Sequence, residues 1–70
     1  MRRIWLIEKR ISLGKTQEYV AEVVEVARTT YASYEQGERT PSVSVAKKIG
    51  ESLNFDWTIF FEDKVHKTSS

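Results

Sequence analysis

The side chains able to do chemistry in this chain are of few kinds. There is no cysteine and a single histidine, His66. Thiolate nucleophiles, disulfides and cysteine-based zinc sites are therefore excluded, and a lone imidazole makes no metal site. The acidic residues of the first half, such as Glu18 and Glu22, fit solvated helix faces, and nothing gathers them around a pocket as acid and base. The expectation is no enzyme, no cofactor and no metal. What remains is hydrogen-bonding chemistry. Arg28, Thr29, Ser33 and Gln36 are spaced so that the exposed side of one helix, with Ala32 between them, would present a guanidinium, two hydroxyls and a carboxamide. Such a face recognises rather than transforms, because a guanidinium donates to two acceptors at once.

Positioning that face is the work of the rest of the chain. Gly14, Gly37 and Pro41 punctuate it, and between them the apolar residues recur at helical rather than strand spacing. An all-α, five-helix domain over residues 1–63 is expected, with a short polar tail at 64–70 that carries His66. Helix one spans Arg2 to Leu13, with Gly14 as a left-handed stop. Helix two runs from its cap Thr16 to about Val24, with Glu18 in the first turn complementing the dipole. Helix three runs from about Arg28 to Gln36 and ends at Gly37. Ser42 caps helix four, whose stripe is Val43, Ala46, Ile49, Gly50 and Leu53. In the last helix, with Asp56 as cap, Phe55 and Phe60 hold the two positions of a hydrophobic staple, and Trp57, Phe60 and Phe61 share a face.

Seventy residues make one domain, and so short a chain buries only roughly 60% of the surface its unfolded form exposes. No apolar run approaches the roughly 20 residues of a membrane span, and charges interrupt the start too early for a signal peptide. A soluble, cytoplasmic protein is expected. The net charge of +1 is neutral evidence about nucleic acid, so any such reading depends on where the charges lie.

Helices two and three are joined by a few residues around Glu25, with Val20, Val24, Val26 and Tyr31 spaced to pack inside the corner and small Ala21 where the helices approach. A short, rigid angle of this kind lets the second helix enter a DNA major groove while the first crosses the backbone. The run Thr16-Gln17-Glu18, Ala21-Glu22, Val26, Arg28-Thr29-Thr30-Tyr31, Tyr34-Glu35-Gln36-Gly37 and Pro41-Ser42 resembles the Xre/Cro/phage-repressor helix-turn-helix family over roughly residues 5 to 62. The ending from Phe55 to Glu62 resembles small stand-alone members from bacteria and mobile elements.

The resemblance implies a sequence-specific transcriptional regulator. It implies base-edge contacts from Arg28, Thr29 and Ser33, and backbone contacts from Thr16, Gln17, Thr30, Gln36, Arg39 and Thr40. It also implies an internal salt bridge between Arg10 and Glu35. Two residues depart from the family pattern: Glu25 stands where the turn has glycine, at about 1–2 kcal/mol if it is left-handed, and Ala27 stands where helix three has a serine-type cap.

Two functions follow from different classes. One is a DNA-binding regulator, a repressor acting as a homodimer on a double-stranded operator, with no small-molecule ligand. Its dimer face is expected at Phe55, Trp57, Phe60 and Phe61, which five short helices have difficulty burying together with Trp5; the alternative is that these rings complete the monomer core. The other function is a protein-interaction adaptor or antitoxin-like module on the same fold, suggested by the near-neutral charge and the aromatic C-terminus.

Overall fold

The computed structural model describes residues 1–62; the expected polar tail and His66 lie outside the described residues. The elements are α1 (Ile4–Ser12), α2 (Gln17–Val24), α3 (Arg28–Gln36), α4 (Val43–Leu53) and a closing 3-10 turn, Trp57–Phe61. Among the described residues no helix is long and apolar enough to cross a membrane. The expected all-α domain is present, with two local differences. Helix one starts later than its pattern suggests, because the Arg3 amide donates to the Glu35 carbonyl at 2.8 Å and Arg3 takes a non-helical conformation. The last helix is a single tight turn, the form short helical pieces commonly take.

The capping residues act as their chemistry predicts. The Thr16 hydroxyl accepts from the Tyr19 amide at 3.0 Å and Ser42 from the Val45 amide at 3.3 Å. Asp56 accepts from the Thr58 amide at 3.0 Å and from its hydroxyl at 2.8 Å, and these two bonds hold its carboxyl below the usual carboxylate range. Each cap satisfies an amide that has no partner within its own helix.

One core joins all the elements: Leu6 from α1, Val20, Ala21 and Val24 from α2, Tyr31 and Tyr34 from α3, Ala46, Ile49 and Leu53 from α4, and Phe60 from the closing turn. The corner between α2 and α3 is packed as its spacing implied, with Val26 half-buried beside it. The C-terminal rings divide. Phe60 is buried, and Trp5 meets it edge-on at 5.1 Å and Phe55 at 5.3 Å. Phe55 and Phe60 lie 5.8 Å apart, which is the staple contact. Trp57 and Phe61 form a separate, half-buried pair at 6.0 Å, so the three rings do not share one face. Gly50 permits this closure: a Cβ there would stand 2.8 Å from the Phe55 carbonyl oxygen.

The turn at Glu25 is left-handed, at φ 64° and ψ 43°, and Lys48 from α4 reaches its carboxylate at 3.2 Å. Strain of about 1–2 kcal/mol in a non-glycine residue is set against the extra unfolded-state freedom glycine would bring, about 0.4–1 kcal/mol, and an exposed ion pair worth at most about 1 kcal/mol. With each range at its middle, Glu25→Gly is therefore expected to raise stability by only about 0.3 kcal/mol. Denaturation midpoints check this; a marked loss would mean that the Lys48 tether outweighs the strain.

Candidate nucleic-acid interface

The outward side of α3 is assembled by burial of the opposite side. Tyr31, Tyr34 and Glu35 are buried, which turns Thr29 and Gln36 to solvent, while Arg28 is exposed at the start of the helix and Thr30, Ala32 and Ser33 are half-exposed. The expected recognition residues thus lie on one outward arc, with Arg28 at its edge. Ser33 differs from its neighbours, because its hydroxyl donates to the Thr30 carbonyl at 2.6 Å, leaving only its oxygen to accept from a partner.

Beneath this face is a polar hub. The Glu35 side chain is 1% exposed, and it accepts from Arg10 Nε at 2.6 Å and Arg10 Nη2 at 3.2 Å. Gln17 Nε2 donates to the same carboxylate at 2.9 Å, and Arg10 Nη1 donates to the Lys15 carbonyl at 2.9 Å. Burial pushes the Glu35 carboxyl up, but the hydrogen bonds from Arg10 and Gln17, the nearby Tyr31 hydroxyl and the charge of Arg10 outweigh it and hold the carboxyl below its ordinary value. Arg10 is held above its own ordinary value, chiefly by its bond to Glu35, against the effect of burial. The Tyr31 hydroxyl is buried beside the pair without a well-formed hydrogen bond. Burial first, and the neighbouring Glu35 second, keep its proton on well above the phenol range.

The hub ties the start of α2 and α1 to α3. It also extends outward, since Arg28 Nη1 lies 3.5 Å from Gln17 Oε1. Gln17 is thus half-buried with its side-chain amide engaged on both sides, which leaves its backbone amide in the first turn of α2 as the donor open to an outside acceptor. Arg10, Lys15, Thr16, Gln17, Glu18 and Arg28 line an open depression at this end. Ala27 leaves the first turn of α3 without a side-chain cap, so the positive end of the α3 dipole opens beside it.

At the other end of α3, Arg39 and Thr40 are exposed in the loop leading to α4. This loop is fastened by a residue that sequence reasoning missed. Arg3 Nη1 donates to the carbonyls of Tyr34 at 2.6 Å and Arg39 at 2.8 Å, and Nη2 donates to Thr40 Oγ1 at 2.9 Å. Its guanidinium also stands over the Phe60 ring at 5.4 Å. No local pattern marks an arginine whose partners lie 31 to 37 positions away along the chain.

The residues at this surface arrange hydrogen-bond donors, and the described residues include no group of three or more acids, histidines or cysteines able to hold a metal ion. The chain is 53% identical over 68 residues, 97% of its length and 90% of the relative's, to a Bacillus subtilis (strain 168) protein described as the uncharacterized HTH-type transcriptional regulator YqaF. A helix-turn-helix family model matches residues 6–60, from the buried Leu6 to the buried Phe60. With the α2–α3 corner packed and the face of α3 turned outward, the chain belongs to the helix-turn-helix family of DNA-binding regulators of the Xre and phage-repressor type.

Proposed function

We propose that the protein is a sequence-specific transcriptional repressor that lays α3 in the major groove of double-stranded DNA. The observation that carries this reading is the outward face of α3, where Arg28, Thr29 and Gln36 stand in solvent on a helix anchored from behind by the buried Arg10–Glu35–Gln17 hub. Arg28, Thr29 and Ser33 contact base edges; Thr16, Gln17, Thr30, Gln36, Arg39 and Thr40 contact the sugar-phosphate backbone on either side. A domain seated in the groove blocks other proteins from the same site, which is how occupancy alone represses. The relative's description as a transcriptional regulator supports the same reading.

Two copies are proposed to occupy half-sites about one helical turn apart. Phe60 is buried within the monomer, so the proposed dimer face is carried by the half-buried Phe55, Trp57 and Phe61.

Selection of bound duplexes from a random-sequence pool, followed by titration across salt concentrations, tests the proposal. A preferred sequence is expected, with log affinity falling linearly against log salt at a slope of about −0.9 per phosphate neutralised. No selected sequence and a flat salt response would refute it and favour the protein-interaction adaptor.

A further inference from the structure

The loop after α3 is a poor place for a phosphate on elementary grounds. The C-terminal end of a helix carries negative partial charge and unpaired carbonyls, and the first three backbone amides that follow are spent: Gly37 N donates to the Tyr34 carbonyl, and Glu38 N and Arg39 N to that of Ser33. Gly37, at φ 80°, lies against the Met1 backbone, so the N-terminal arm closes over this helix end. Arg3 is where that arm enters the loop. Its guanidinium donates to the carbonyls of Tyr34 and Arg39 and to the Thr40 hydroxyl oxygen, while its own amide donates to the Glu35 carbonyl.

We propose that Arg3 is a positioning residue for DNA binding, which converts the negative end of α3 into a loop able to hold a backbone phosphate. The inference rests on the DNA-binding reading above and deepens it. Two effects combine. The cation set against the C-terminal carbonyls offsets their partial charge where a phosphate would approach. The bond to Thr40 Oγ1 fills one acceptor site of a hydroxyl that has two acceptor sites and one proton. The proton is then directed away from the guanidinium, toward solvent, and the neighbouring charge polarises it as a donor. Thr40 is exposed and available for that donation, and Arg39 beside it has its carbonyl held by the same guanidinium.

The test uses the full chain, a duplex selected from a random pool by the unaltered protein, and an unrelated duplex. Arg3→Gln, Arg3→Lys, Thr40→Val and the double variant Arg3→Lys with Thr40→Val are titrated at a temperature where circular dichroism shows each folded. Arg3→Gln is expected to weaken both duplexes alike, by about tenfold, since it removes charged hydrogen bonds. Arg3→Lys keeps the charge without the fork and is expected to fall between. Should Arg3→Gln fail to fold, Arg3→Lys carries the test.

Thr40→Val is expected to cost about fivefold in the unaltered protein and less than about twofold when Arg3 is Lys, because the hydroxyl has lost its director. A purely structural Arg3 would lower the melting point and leave this coupling absent. The inference is overturned if Arg3→Lys and every folded Arg3→Gln sample bind as the unaltered protein does, if the Thr40→Val loss is the same in both backgrounds, or if only the selected duplex is weakened. Failure of the unaltered protein to bind any duplex would instead refute the DNA-binding reading, and this inference with it.

Discussion

Glu35→Ala is expected to destabilise the domain by about 3 kcal/mol, toward the lower end of the range for breaking a buried ion pair. The lower end applies because Arg10 keeps 13% of its side chain exposed and can recover some hydration, whereas Glu35 at 1% cannot. The substitution strands the Arg10 guanidinium, removes the acceptor of Gln17 Nε2 and leaves the buried Tyr31 hydroxyl beside a void. A small domain has total stability of only about 3–5 kcal/mol in many cases, so a large unfolded fraction is expected at room temperature. Denaturation midpoints measure this, and a change below about 1 kcal/mol would mean that the hub contributes little.

Acid separates the charge of Glu35 from its shape. Its carboxyl is held below the ordinary value in the folded protein, whereas the unfolded chain titrates near about 4.3. The unfolded state therefore binds the proton first. The contribution is fully present above the unfolded value and is lost as pH falls through the lower folded value. Glu35→Gln is expected to be less stable at neutral pH and to lack this part of the acid loss, so the two stability curves converge below about pH 4. Parallel curves would assign the acid response to other carboxyls.

Arg28→Ala is the substitution expected to change function most. Arg28 is exposed at the start of α3, with Gln17 within 3.5 Å and itself fixed on Glu35. A guanidinium oriented from behind suits bidentate donation to guanine, worth about 1–3 kcal/mol of discrimination, or roughly 5- to 150-fold. Binding to a panel of single-base variants of the selected duplex should lose discrimination at one position while the salt slope falls by at most about one phosphate equivalent. Uniform weakening across the panel would make Arg28 a phosphate contact.

The order of helices was legible because their signals are local. Thr16, Ser42 and Asp56 sit where their oxygens reach the amide two or three residues on, and Gly14 and Gly37 stand at left-handed stops. The outward arc of α3 was equally legible, because helical spacing puts Tyr31, Tyr34 and Glu35 on one side and Thr29, Ser33 and Gln36 on the other, with Arg28 at the edge between them and exposed because it opens the helix. The Arg10–Glu35 pair was accessible only through family resemblance, since its two residues belong to different helices. What each polar group does once the helices meet was not legible. Ser33 spends its proton on its own helix, and Gln17 spends its amide on Glu35. Phe60 belongs to the core with Trp5, whereas Trp57 turns to Phe61.

The sequence by itself determined the elements and the outward face of α3, because periodicity, caps and left-handed stops act over a few residues and need no knowledge of what packs where. Only the tertiary structure decided the polar wiring. Arg3 reaches α3 and its following loop from the far end of the chain, and Arg10, Gln17 and Glu35 meet from three helices. Such groups have no intrinsic preference for one another along the chain. Their pairing arises because packing removes water from them and leaves each buried donor and acceptor only the partners that the fold brings within reach.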